Sequence, residues 1–205
     1  MYTTLLFKES PLISVVVLLH ILYFTYNSSL YMTGLFIVIL VFLIFMYRYK
    51  PHRTNYPNNV IISPTQGKIT NITHKHGIIH VSIYMNLLNT HTQIYPTNGR
   101  VIGRHYDKTG KFELITNKEK SRHNEKKIHV MLTDDGKYIT ITQIAGFFPR
   151  CIVASDKYLE DVRTGQYLGM IKFGSRIDVA FPGDPKKLKV NLNDNVEIGN
   201  LMYSY

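Results

Sequence analysis

Residues 11–47 read "PLISVVVLLHILYFTYNSSLYMTGLFIVILVFLIFMY", a run so apolar that it limits how the rest of the 205-residue chain can be organised. Residues 30–47 hold 18 positions without a charge, and as a helix they would extend roughly 27 Å, close to the hydrocarbon thickness of a bilayer. Residues 11–26 would extend about 24 Å and carry His20, which makes them the weaker crossing. Asn27-Ser28-Ser29 between them supplies a polar turn. The pattern predicts an N-terminal transmembrane helical hairpin, with residues 1–47 as a membrane anchor of one or two crossings. A cleaved signal peptide is the competing reading, but no small-x-small site follows the first run and the second run would hold the chain anyway.

Arg48, Lys50 and Arg53 follow the apolar run, and such a basic flank places residues 48–205 on the cytoplasmic side of a membrane. Lys8 and Glu9 cancel, so the formal charge of +10 belongs to the residues after Tyr47. A domain of that charge is drawn to an anionic partner. Nucleic acid is not expected: the chain has no Trp, no zinc-finger spacing and no RNP-like aromatic signature. An anionic membrane surface fits better, because each basic residue beside it gains about 1 kcal/mol. The single cysteine, Cys151, excludes an internal disulfide and a cysteine-based zinc site.

After a polar linker at 48–59, "RYKPHRTNYPNN", a domain over 60–205 alternates apolar and polar residues. "HGIIHVSIYM", "GKYITITQIAG" and "KYLEDVRTGQYLGMIKFG" have period-two patterning, β-branched and aromatic residues, and Gly or Asp-Gly turns. The fold class that follows is mainly β. "GKFELITNKEKSRHNEKK" has no clear period and reads as a loop. "DVRTGQYLGMI" and "NVEIGNLMYSY" share Val-x-x-Gly leading into apolar residues, as do paired hairpins in sandwich-like barrels that hold lipoyl or biotinyl groups. Lys172 lacks the surroundings of such a carrier lysine. His74, His76 and His80 fall on alternate positions of a strand pattern, but no acid or cysteine cluster joins them, so no metal site is expected. His91 stands where apolar sequence meets the turn residues Pro96 and Gly99, a place from which a side chain can be aimed into a pocket.

In "MIKFGSRIDVAFP" a Gly-Ser pair interrupts two strand-like runs. Together with "YRYKP", "VIISPTQGKI", "IYMNLLNTHTQIYPTNGRV", "GKFELIT" with "HNEKK" after it, and "QIAGFFPRCIV", this block order resembles the short form of the phosphatidylserine decarboxylase proenzymes over residues 47 to about 182. The resemblance implies a sandwich-like barrel domain in which the chain cuts itself between Gly174 and Ser175, giving a β chain of 1–174 and an α chain of 175–205. It implies that the Ser175 hydroxyl attacks the Gly174 carbonyl, that the ester eliminates, and that residue 175 becomes a pyruvoyl group. That group's carbonyl takes the amine of phosphatidylserine and accepts the electrons released as carbon dioxide leaves. His91 matches the family histidine five residues before the turn proline and is implied as proton donor. A second histidine of long-form members is replaced by Ile94.

At Ser63-Pro64-Thr65-Gln66-Gly67 the family reads Ser-Pro-Ala-Asp-Gly, with the aspartate helping to activate the serine. Gln66 cannot carry that charge, so restoring aspartate is expected to speed self-cleavage. If another group acts as base, His91 is the first candidate and Glu113 and Glu125 are next. The leading reading is a membrane-anchored pyruvoyl enzyme, compatible with a homo-oligomer, that converts phosphatidylserine to phosphatidylethanolamine. The alternative is an uncleaved, inactive homologue that binds anionic lipid or a membrane protein.

Overall fold

The computed structural model describes residues 3–49, 51–52, 55–109, 123–146, 152–154, 159–172 and 174–205, in two compact units, Met1–Pro51 and His52–Tyr205. Glu113, Lys50, Arg53 and Cys151 lie outside the described residues.

In the first unit, β1 (Thr3–Thr4) and β2 (Arg48–Tyr49) pair and bracket α1 (Leu6–Glu9), α2 (Pro11–Tyr26) and α3 (Leu30–Met46). The expectation of a transmembrane hairpin is corrected here: α2 has 16 residues and α3 has 17, and among the described residues no helix is long and apolar enough to cross a membrane. The reason is local. Pro11 opens α2, Ser28 adopts a positive φ of 55° between the helices, and α3 stops at Met46, so each helix falls short of the roughly 20 residues a crossing needs. The two helices still meet along an aromatic seam, with His20 stacked on Phe36 at 4.8 Å.

The second unit is mainly β. Its strands are β3 (Val60–Ile62), β4 (Gly67–Lys75), β5 (Ile78–Met85), β6 (Thr92–Ile94), β7 (Gly99–Asp107), β8 (Lys126–Leu132), β9 (Tyr138–Ile144), β10 (Ile152–Ala154), β11 (Glu160–Val162), β12 (Tyr167–Ile171), β13 (Ser175–Pro182), β14 (Asn195–Val196) and β15 (Leu201–Ser204). They form an eight-stranded sheet ordered β11-β7-β8-β9-β13-β5-β4-β14, a three-stranded sheet β10-β12-β6, and the pair β15-β3. The polar stretch read as a loop through residue 127 is therefore corrected at its end, because β8 begins at Lys126.

Period-two patterning sets the core. On β13, Ile177, Val179 and Phe181 are fully buried and stand in register with Ile83, Val81 and Ile79 of β5. Each such side chain contributes about 1.5–3 kcal/mol by leaving water. The same strand pairs β9 on its other side from Arg176 to Ala180, so its N-terminal end is gripped within the middle of the sheet.

The domain is built from two nested copies of one motif. "ISPTQGKI" at 62–69 and "IYPTNGRV" at 94–101 share a pattern, and they cross-link reciprocally: the Ile62 amide donates to the Pro96 carbonyl at 3.0 Å and the Ile94 amide to that of Pro64 at 2.9 Å. The repeat seen at the C-terminal end completes each copy. Gly199 and Asn200 clamp both backbone groups of Ser63, while Gly165 and Gln166 clamp both of Tyr95, and the two glycines have φ of 85° and 86°. Gly67 pairs Val196 as Gly99 pairs Val162. Gln66 is thus the counterpart of Asn98, and Glu197 that of Arg163.

Candidate active site

Ser175 is the first residue of β13 and is fully buried. Its register partner is Met85, the last residue of β5, and its Oγ lies 3.7 Å from the Met85 Sδ. Gly174 before it has φ +32°, in the region that favours glycine, and a Cβ built there would meet nothing within 4 Å. Backbone conformation therefore explains the glycine, since crowding is absent.

Met85 gathers the site. Its sulfur also receives the Thr65 hydroxyl at 2.8 Å and the Gln93 amide nitrogen at 3.7 Å. A thioether is a weak acceptor that takes no proton at neutral pH, so Met85 shapes the space around Ser175 without acting as its base.

His91 is fully buried just before β6. Its carbonyl accepts from the Ile171 amide at 3.2 Å and from the Gln93 side chain at 2.6 Å, which ties it to the end of β12, four residues before Ser175. Gln66 lies on the other side: its Oε1 accepts from the Thr90 amide at 2.8 Å and its Nε2 donates to Glu197 Oε1 at 2.9 Å. The fold therefore brings positions 66, 91 and 175 around one corner of the sheets. Gln66 and Glu197 also line a cleft of about 340 Å³ with Lys68, Tyr84, Asn86 and Asn89.

Beneath His91 runs a buried polar chain. Gln93 donates to the His91 carbonyl, Gln143 Nε2 donates to Gln93 Oε1 at 2.9 Å, His129 Nε2 meets Gln143 Oε1 at 2.9 Å, and Arg104 Nε donates to His129 Nδ1 at 3.3 Å. A carbonyl at one end can only accept and a guanidinium at the other can only donate, so every amide and ring orientation between them is assigned. His129 is held as the neutral Nε2–H tautomer. Arg104 continues to the Tyr95 hydroxyl at 2.8 Å and to Glu160 at 3.2 Å; burial pushes the Tyr95 phenol up, with Arg104 opposing it. Gln93, Gln143 and His129 are fully buried, so the chain fixes the backbone that carries His91 rather than reaching solvent.

Glu125 hydrogen-bonds the Tyr106 hydroxyl. His74 lies on β4, His76 in the following turn with φ 51°, and His80 on β5, so a turn splits the alternation expected of them.

The family model described as phosphatidylserine decarboxylase matches residues 41–203. The chain belongs to the phosphatidylserine decarboxylase family. Its relatives include proteins named phosphatidylserine decarboxylase proenzyme: one from Geotalea uraniireducens, 30% identical over 82% of this chain and 81% of that one, and one from Rickettsia typhi, 32% identical over 69% and 65%. A third, from Rickettsia felis, is 36% identical, and the match covers 61% of this chain and 58% of the relative. The matched region contains Gln66, His91 and the Gly174–Ser175 bond and leaves out most of the apolar hairpin.

At position 66, where an aspartate is expected from the sequence, the structure sets a carboxylate, Glu197, against the glutamine. Gln66→Asp would replace the amide donor with a second carboxylate near Glu197, and like charges at this distance raise one carboxyl pKa. A raised folded pKa gives stability that is present at acid pH and lost as pH rises through it. The variant should therefore lose up to about 1 kcal/mol relative to the parent between about pH 4 and pH 7, and Gln66→Asp/Glu197→Gln should recover it. Thermal denaturation at several pH values measures both; a pH-independent difference would show that the two positions do not couple.

Proposed function

We propose that this chain is a pyruvoyl-dependent phosphatidylserine decarboxylase that makes its prosthetic group by cutting itself between Gly174 and Ser175. One observation carries the reading: a glycine at positive φ stands directly before a fully buried serine at the start of a strand gripped in mid-sheet. In the cut, the Ser175 Oγ–carbonyl bond forms as the Gly174–Ser175 peptide bond breaks; elimination then releases the Gly174 carboxylate and leaves a dehydroalanine at 175, whose imine tautomer takes up water and loses ammonia to give the carbonyl. The surroundings fit a pyruvoyl group at position 175. Ser175 is fully buried, and Thr65, Gln93 and Ser175 itself converge on the Met85 sulfur at 2.8 Å, 3.7 Å and 3.7 Å. That group supplies a carbonyl that bonds the substrate amine and takes up the electrons of the departing carboxylate. His91, held through its carbonyl by Ile171 and Gln93, delivers a proton to the carbon that loses carbon dioxide.

The substrate is phosphatidylserine and the product phosphatidylethanolamine. Among the described residues, most of the large exposed apolar side chains lie on the helical hairpin, Leu12, Leu22, Leu30 and Val38 among them, and such a surface seats the protein at a membrane, with residues 48–205 on the cytoplasmic side. A second reading, an uncleaved relative that binds anionic lipid or a membrane protein, draws support from Gln66 and from Ile94, a fully buried residue where long-form members have histidine.

Mass analysis of the purified chain separates the two readings. The enzyme gives fragments of residues 1–174 and 175–205, the latter with a carbonyl in place of its amine; an intact chain of 23.8 kDa after prolonged incubation supports the uncleaved reading.

A further inference from the structure

The eight-stranded sheet has a second face, turned away from the core, and its centre is a cavity of about 510 Å³. Alternate residues of five neighbouring strands line it, among them Lys75 of β4, His80 and Ser82 of β5, Arg176 and Asp178 of β13, and Lys126 of β8. An outward sheet face in water is normally half-exposed. Here Arg176 is only 3% exposed and Ser82 4%. A charge so far withdrawn from water is costly unless it is paired, and Arg176 Nε meets Asp178 Oδ1 at 3.0 Å.

Among the described lining residues, the cations Lys75, Lys126 and Arg176 outnumber the one acid, Asp178. Lys126 also faces Asp107 at 3.9 Å, so among the described residues three cations stand against two carboxylates. A concave wall of one sign concentrates counter-ions. Guanidinium and ammonium groups beside neutral hydroxyl donors suit a tetrahedral oxyanion better than a carboxylate alone, and the volume lies in the range of small-molecule sites.

We propose that this cavity binds a phosphate group. It differs from the place where substrate would react: side chains alternate along a strand, so Ser175 points toward Met85 and the core while Arg176, the next residue, points into the cavity. An occupant would rest on the strand that begins at Ser175 without entering the site. The same chemistry could be offered by free phosphate or by the headgroup of a lipid with a terminal phosphate.

The test uses the full chain in neutral detergent, with inorganic phosphate as titrant, and in parallel its binding to phosphatidylcholine vesicles with and without phosphatidic acid. Arg176 is left intact because its substitution would strand Asp178. Lys75→Gln/Lys126→Gln should weaken phosphate binding about tenfold, while Lys186→Gln/Lys187→Gln, which removes as much charge from an exposed turn, should leave it unchanged. If the lysine pair in the cavity also governs binding to phosphatidic-acid vesicles, and phosphate competes, a lipid headgroup is the occupant; if only phosphate binding responds, free phosphate is. Equal weakening by both variants would reduce the effect to diffuse charge and overturn the site, as would absence of saturable phosphate binding to the parent. The uncut Ser175→Ala chain should bind phosphate as the parent does, so the result stands apart from whether the chain cleaves.

Discussion

Ser175→Ala should give one uncut chain with no pyruvoyl group and no decarboxylation. Both losses are complete because they share a single cause: without an oxygen on Cβ nothing attacks the Gly174 carbonyl, and without the ester nothing eliminates to the carbonyl on which the later chemistry depends. The fold should survive. The described contact of the Ser175 Oγ is a 3.7 Å approach to a thioether, whose loss is worth under about 1 kcal/mol, and the backbone ladder to Tyr84 and Ile144 from the next residue is independent of the side chain. Mass analysis, carbonyl-reactive labelling and thermal denaturation together check the three parts. Decarboxylation at the parent rate by the alanine variant would end the pyruvoyl assignment.

The second large effect concerns His91. Alanine in its place should leave self-cleavage intact and lower decarboxylation by about 10²–10⁴-fold, the usual contribution of a positioned proton donor. The substitution keeps the backbone carbonyl, so the bonds from Ile171 and Gln93 persist and the turn should hold its place. Scoring fragments and carbon dioxide release on the same sample separates the two chemical steps. If the fragments themselves fail to appear while the chain remains folded, His91 serves the cut, and its assignment to proton delivery is wrong.

The strands were legible because β-branched alternation is a local property: Ile177, Val179 and Phe181 declare a face without knowing their partners. The ends of α2 and α3 were not, since hydropathy alone ran the second span through Tyr47 and did not show that Ser28 and Met46 would bound the helices. At the site, His91 at its strand–turn junction and the Gly174-Ser175 interruption of a strand pattern were visible locally, but their roles, and Gln66 altogether, became visible only through resemblance to a family. Met85, Gln93, Gln143, His129 and Glu197 had no signal at all, because what gives them meaning is register between strands far apart in the chain; Met85 meets Ser175 across ninety positions. The repeat was half-read. Its C-terminal elements share a spacing of Val and Gly, but the match of "ISPTQGKI" to "IYPTNGRV" is short, and the reciprocal amide bonds that give it meaning join residues about thirty positions apart. Seen together, they make Gln66 and Asn98 equivalent side-chain amides, each accepting a backbone N–H, from Thr90 for Gln66 and from Thr164 for Asn98.

The nesting of those two copies separates connectivity from geometry. Every strand of 175–205 is paired to an earlier one, β13 to β5 and β9, β14 to β4, β15 to β3, and the Tyr205 amide donates to the Asn59 carbonyl at 2.9 Å, so the domain's first strand and its last residue lie side by side. A gene rewritten to begin at codon 175, run to 205 and return through a short joiner to 55–174 would encode the same ladder as a circular permutant. It would have every side chain of the corner around Met85 and no bond between Gly174 and Ser175. Such a protein should fold as the parent does and, on the proposed self-cleavage, never acquire a reactive carbonyl, because that proposal writes the prosthetic group in the order of the chain and not in the shape of the pocket.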